Sequence, residues 1–349
     1  MKKKLGLVLC FVLLFTFIGV VGPESLAAVK VTVDGETVDF DSEPQIIDGR
    51  VLVPIRFVLE KIGASVAWIE ETKTVVIDTE ASPEMIEGKK GILVVSFGTS
   101  YPETRKVTIK ATEEKIAKEY PDYDVRRAFT SQMIINIIEK RDGIVIDNPR
   151  EALSKMKAEG FSEVIIQPLH IMEGSEYNDL EKTYYDFEGT FEKFELGRSL
   201  LSTIDDYKVG VEALKTQLPE MSDGEGVVLM GHGTHHSANA TYACFQSVLK
   251  TKGVDNVYVG TVEGYPAYED VVKSLKNDGV DQVTLMPFMV VAGDHAQNDM
   301  ASDAEDSWKT MLENEGFDVE IYLHGLGENL SFQNMYVEHV QESISREKE

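Results

Sequence analysis

From Lys90 to the C-terminus, short apolar runs alternate with longer amphipathic stretches. GILVVSF, YDVRRAF, SEVIIQPL, EGVVLMG, DNVYVGTV, DQVTLMPFMVV and DVEIYLHG are bounded by Gly, Asp, Asn or Pro and rich in Val and Ile, so each is predicted to be a buried strand. Between them, segments such as PETRKVTIKATEEKIAKEY and AYEDVVKSLKNDG carry apolar residues at helical spacing. Strands alternating with helices imply βαβ units and parallel sheets covered on both faces. In such sheets, ligand-handling residues collect at the carboxyl ends of the strands.

The pattern repeats. VVSFGTSY, beginning at Val94, lines up with LMGHGTHH, beginning at Leu229, which matches Gly98 with Gly233 and Thr99 with Thr234. QPLHIMEGSEY, from Gln167, lines up with MPFMVVAGDHA, from Met286, pairing Pro168 with Pro287 and Gly174 with Gly293. The expected architecture is therefore α/β, with two similar lobes over 90–222 and 223–349, each a parallel sheet flanked by helices, and a ligand cleft between them.

The first part of the chain follows another pattern. Lys2, Lys3 and Lys4 precede the apolar run LGLVLCFVLLFTFIGVVG, and SLAA follows. A charged start, an apolar run and small residues at Ser25, Ala27 and Ala28 are the marks of a signal peptide over 1–28, with a retained anchor as the rival reading. Residues 29–80 show strand alternation, an Asp34-Gly35 hairpin turn, and VLVPIRFVLEKIG running from a strand into a short helix. DGRVLVPIRFVLEKIGASVAW and TVVI make this segment resemble the copper amine oxidase N-terminal-like stalk domain of exported bacterial proteins. It has no His or Cys, so no metal is assigned to it. Residues 81–89 read as a linker.

The full sequence has a formal net charge of −26, and signal cleavage would make it more acidic. That charge disfavours nucleic acid and anionic membrane surfaces as partners. Of 2 cysteines, Cys10 lies in the signal segment and Cys244 would remain alone, so no internal disulfide is expected. An exported, acidic protein is implied, with envelope attachment through the stalk and homo-oligomerisation both left open.

Chemistry concentrates in the second lobe. His232 follows the strand EGVVLMG, Glu263 follows DNVYVGTV, and His295 comes after DQVTLMPFMVV. At the matching positions the first lobe has Phe97 for His232 and Glu176 for His295. Two imidazoles and a carboxylate at one sheet edge make a credible open site for a divalent metal. A single His at a strand end is more commonly a hydrogen-bonded loop residue, and Glu263 alone could accept N–H groups at a helix start; the convergence of all three is what points to a metal. Gly231, Gly233, Gly264 and Gly293 would let the backbone approach a bulky ligand. Arg126 and Arg127 are candidates for ligand carboxylates or surface charge pairs, with alternation allowing only one to face the cleft. His170 is a further cleft contact from the first lobe. His235 and His236 fall at the cleft mouth or at exposed helix-start positions, and His324 and His339 read as structural or surface residues. GHGTHH is neither a dinucleotide fingerprint nor a P-loop, SFGTS is not a nucleophile elbow, and the acidic run GDHAQNDMASDAEDSW lacks calcium-loop spacing.

LVVSFGTSYPET, RAFTSQMI, RDGIVIDNPREAL, QPLHIMEGSEY, MGHGTHH, VEGYP, MPFMVVAGDHAQNDMASDAEDSW and GLGEN occur in order and resemble the anaerobic sirohydrochlorin cobaltochelatase family. The resemblance implies a two-lobed class II chelatase fold, similar to ferrochelatase, and insertion of a divalent metal into a tetrapyrrole. It places metal ligation on His232, Glu263 and His295 and catalysis on His232 and Glu263. Tetrapyrrole contacts are expected from Ser96, Gly98, Thr99, Arg127, His170, Gly233 and Gly293. Cobalt(II) is expected as substrate metal, nickel(II) or iron(II) being chemically acceptable to the same donors, with no tightly bound cofactor. Because tetrapyrrole synthesis is cytoplasmic and this chain carries an export signal, a tetrapyrrole or metal carrier stands as the alternative function.

Overall fold

The computed structural model describes residues 29–33, 36–38, 40, 44–47, 49–62, 64–69, 73–78 and 89–346. The expected signal segment, and the expected linker except Lys89, lie outside them. The chain forms two compact units, Met1–Ser82 and Pro83–Glu349. Among the described residues no helix is long and apolar enough to cross a membrane.

The small unit consists of short antiparallel pairs. Strand β1 (Thr32–Val33) pairs with β2 (Glu36–Thr37) on either side of the Asp34-Gly35 dipeptide, as the turn signal requires. β3 (Gln45–Ile47) pairs with β4 (Arg50–Leu52), the helix Ile55–Lys61 follows, and β5 (Ser65–Ile69) pairs with β6 (Thr74–Asp78). The Arg56 guanidinium donates to the Val66 carbonyl at 2.6 Å and so ties helix to hairpin.

The large unit holds two four-stranded, all-parallel sheets. The first comprises β7 (Lys90–Ser96), β8 (Tyr123–Phe129), β9 (Glu163–Pro168) and β10 (Lys193–Leu196), in the order β10-β9-β7-β8. The second comprises β11 (Glu225–Gly231), β12 (Val257–Thr261), β13 (Gln282–Pro287) and β14 (Asp318–Ile321), in the order β14-β13-β11-β12. The two orders are the same, so the short sequence repeat marks a repeated topology. Its glycine pair is repeated in conformation as well: Gly98 has φ +96° and Gly233 φ +84°, a left-handed backbone that side-chain-bearing residues avoid. A Cβ would also lie 2.5 Å from the Phe129 ring at the first and 2.7 Å from the Gly264 nitrogen at the second.

Side-chain alternation along the central strands sorts the core into layers. Ile92 and Val94 of β7, with Val227 and Leu229 of β11, belong to one shared core; Leu93 and Val95 face a second core on the far side of the first sheet, and Val228 and Met230 a third on the far side of the second. Helix Pro149–Ala158, introduced by an Asn148/Glu151 capping box, covers the outer face of the first sheet, and Tyr268–Asp278 that of the second.

Two features differ from the sequence reading. β10 was not expected, because KFEL is a four-residue edge strand with charges interleaved and shows no apolar run. The C-terminal helix Leu330–Ser345, expected in the second lobe, packs instead on β9 and β10, with the Tyr336 hydroxyl donating to the Leu169 carbonyl at 3.0 Å. Its apolar stripe says only that some face must be covered.

Phe245 on helix Ala240–Thr251 is fully buried in the shared core, its ring centroid 4.7 Å from that of Phe288 just beyond β13. Phe245→Ala is expected to lower unfolding free energy by about 3–5 kcal/mol in urea titration, because a sheet-flanked site can collapse only partly around the void. A loss below about 1 kcal/mol would show that the shared core does not hold the lobes as described.

Candidate metal and tetrapyrrole site

β12, β11 and β13 are neighbours and run the same way, so their carboxyl ends open on one edge. There a cavity of about 790 Å³ lies between the lobes, within the range of small-molecule sites. His232, Glu263 and His295 all line it, as do Ser96, Gly98, Thr99, His170, Gly233 and Gly293. Much of the wall is apolar: Ile109, Met133, Ile137, Leu169, Phe288 and Val291 surround a few hydroxyls and imidazoles.

The two imidazoles are held together. The His232 and His295 ring centroids are 4.4 Å apart with the rings nearly perpendicular, at 84°. His232 Nδ1 donates to the Gly233 carbonyl at 2.8 Å, and His295 Nδ1 contacts an Asp299 carboxylate oxygen at 2.5 Å. Both acceptors are oxygens without a proton to give, so each neutral ring carries its hydrogen on Nδ1 and keeps the Nε2 lone pair for a ligand. Glu263 belongs to the same edge through its backbone: its N–H donates to the His232 carbonyl at 2.8 Å. Among the described residues, however, no three His, Cys, Asp or Glu side chains stand close enough together to enclose a metal ion. Of the three expected ligands, His232 and His295 stand as a pair, and Glu263 lines the same cavity without closing a three-residue cluster with them.

The first lobe contributes a different chemistry. His170 lines the cavity, yet both ring nitrogens are shut off from solvent and have no hydrogen-bond partner among the described residues. Burial therefore pushes its pKa down to about 4, and the ring is neutral near pH 7. The side-chain hydrogen bonds that link the lobes include two made by residues of the cavity wall. The Tyr101 hydroxyl donates to Asp294 at 3.0 Å, which raises the phenol above its ordinary pKa, and the Asn178 amide meets His236 Nε2 at 3.2 Å.

Several expectations need correction. Arg127 does not line the cavity; it makes a two-pronged contact with Glu113, at 2.7 and 2.5 Å. Arg126 binds Asp124 and Glu159 and lies over the Phe161 ring. Both arginines were equally open to a surface-pair reading, and local carboxylates claim them. No lysine or arginine is among the described residues that line the cavity. Gly233 lines the cavity and is also required by its own backbone and its contact with Gly264, and a Cβ at Gly231 would lie 2.2 Å from the Tyr242 ring, so packing by itself calls for glycine at both positions. His235 and His236 both line the cavity. His324 pairs with Glu328, while His339 is buried beside Asp206 and Arg198 away from the cavity. Sequence reasoning missed Tyr101, Asp294, Asn178 and Asp299. Only the last had a visible signal, the four-residue step from His295 on a helical turn.

Fold and site together define a two-lobed α/β protein whose cleft presents paired metal-type imidazoles against a mostly apolar wall. Residues 90–345 match the model of the cobalt chelatase (CbiK) family, and residues 32–96 that of the copper amine oxidase N-terminal domain. The chain is 44% identical over 257 residues to a sirohydrochlorin cobaltochelatase of Salmonella typhimurium, covering 74% of this chain and 97% of that protein. It is 32% identical over 265 residues to the sirohydrochlorin cobaltochelatase CbiKC of Nitratidesulfovibrio vulgaris, covering 74% and 91%. A solved structure of the sirohydrochlorin chelatase SirB from Bacillus subtilis in complex with cobalt aligns with a TM-score of 0.48 at 14% identity, covering 73% of this chain and 95% of that one. The protein belongs to the cobalt chelatase (CbiK) family and is a metal chelatase.

The His170 environment has a measurable consequence. Its pKa is about 4 folded and near 6.5 unfolded, so below pH 6.5 the unfolded chain takes up a proton that the folded chain refuses. Stability is therefore expected to fall as pH drops from 6.5 towards 4, with a slope of at most about 1.4 kcal/mol per pH unit from this group. His170→Gln should flatten that stretch of the stability profile, and an unchanged slope would show that the ring is not held neutral.

Proposed function

We propose that the protein inserts a divalent metal, cobalt(II) before nickel(II) or iron(II), into sirohydrochlorin or a closely related tetrapyrrole. The observation that carries this reading is the His232–His295 pair, with both Nε2 positions available at the wall of an apolar cleft. Insertion exchanges one metal dication for two pyrrole N–H protons, so the site must bind the metal and also accept protons. Neutral imidazole does both near neutral pH. His232 is the principal base and a ligand; His295 is the second ligand; Glu263 supplies a third donor and a proton acceptor from the adjoining strand. A set that is open, rather than closed around the ion, suits hand-over, since a complete four-ligand cage would retain the metal.

The apolar walls suit the faces of a flat macrocycle. With no lysine or arginine among the described residues that line the cavity, the tetrapyrrole's carboxylates are met by hydroxyls such as those of Ser96 and Thr99 and by backbone N–H groups. The chain is read as exported, on the strength of Lys2 to Lys4, the apolar run and SLAA, with the small unit as a candidate attachment module. Amino-terminal sequencing of protein recovered outside the cytoplasm should begin at or next to Ala28; an intact Met1 would mean the segment is retained.

Cobalt should bind at one site per chain, weakened in each of His232→Ala, Glu263→Ala and His295→Ala and unchanged in His324→Ala and His339→Ala. In a spectrophotometric insertion assay His232→Ala should lose nearly all turnover while still binding tetrapyrrole. Undiminished cobalt binding in the triple variant would place the metal elsewhere. Wild-type protein that binds sirohydrochlorin but never metallates it would identify a carrier, not a chelatase.

A further inference from the structure

The segment after His295 is a single turn of π-helix, Ala296–Met300, a widened turn that recurs at functional positions. Ala296 and Met300 are fully buried in the core of the second lobe beside Val271, Trp308 and Leu312. They clamp the turn, and the residues one step before each, His295 and Asp299, share its open side, at 40% and 44% side-chain exposure. His295 lines the cavity and Asp299 does not. The carboxylate thus stands behind the ring, 2.5 Å from Nδ1, instead of beside the position where a metal would sit.

We propose that Asp299 is a positioning residue that fixes His295 as the tautomer presenting Nε2 to the cavity and makes it the stronger of the two imidazole donors. The proposal rests on the reading of His295 as a metal ligand. Its physical basis is the contrast between the two rings. His232 gives its Nδ1 hydrogen to a neutral backbone carbonyl, whereas His295 gives its own to a carboxylate. An anionic acceptor polarises the N–H more strongly and raises electron density at the far nitrogen, and a histidine ligand is commonly tuned through such an outer partner. The arrangement divides the work of hand-over. His295 is the anchoring ligand, and His232, with the weaker partner, is the one that releases metal and takes a pyrrole proton.

An exposed pair of this kind adds little to folding, so Asp299→Ala and Asp299→Asn are expected to fold with near wild-type thermal transitions. In the metal-free full mature chain, nitrogen-15 NMR of labelled histidine should show His295 protonated at Nδ1, with His295→Ala giving the assignment. Asp299→Ala should yield a mixture of tautomers and bind cobalt about ten- to a hundredfold more weakly. Asp299→Asn, which keeps the shape without the charge, should fall between. Wild-type His295 protonated at Nε2 would overturn the inference. So would wild-type cobalt affinity in Asp299→Ala alongside lost binding in His295→Ala. If His295→Ala itself kept full cobalt affinity, the metal-site reading would fail first, and the inference with it.

Discussion

Parallel pairing of β11 with β12 on one side and β13 on the other is the constraint on which the site depends. The register sets Leu229 against Val259 and Met286, so three strands end together and their following residues emerge on one edge. Residues separated by more than sixty positions in sequence, His232 and His295, come within ring contact only because those strands run the same way. An antiparallel neighbour would have sent its following loop to the opposite end of the sheet. The shared core then holds this edge against the first lobe, with Val227 and Leu229 on one side and Ile92 and Val94 on the other.

The cleft combines features that would conflict in most binding sites. Its ligand is expected to be rich in carboxylates, yet among the described residues the lining has no arginine or lysine, and the chain is strongly acidic overall. A metal dication is the exception among plausible visitors, because it is drawn to such a surface. The protein's negative field therefore favours one substrate, and the apolar walls favour the faces of the other. Arginines that could have served the carboxylates are committed elsewhere: Arg127 to Glu113, Arg126 to Glu159 and Asp124.

Each imidazole is defined by what stands behind it. His232 meets the carbonyl of Gly233, a residue with a left-handed backbone, and His295 meets Asp299, four residues on in a π-turn. Both devices are local backbone departures, which sites use to hold a side chain in one orientation. The lobes are also stitched across the cleft by Tyr101 with Asp294 and Asn178 with His236, so residues beside the proposed ligands answer to the opposite lobe.

The sequence by itself determined the class of fold, the doubled lobe and the three strand-end residues, since each is written in local terms. Apolar runs of strand length need burial on both faces, and Gly98 and Gly233 mark equivalent sharp turns. It could not determine where helix Leu330–Ser345 would dock, because an apolar stripe does not name the sheet it covers. Nor could it settle the arginines, whose partners Glu113 and Glu159 lie 14 and 33 positions away and are chosen by proximity in space. Only the tertiary structure brought the two imidazoles face to edge, left Glu263 on the neighbouring wall, and put Asp299 behind His295. Distances between side chains on separate strands depend on sheet register and on how the lobes pack, and neither is encoded within any one segment.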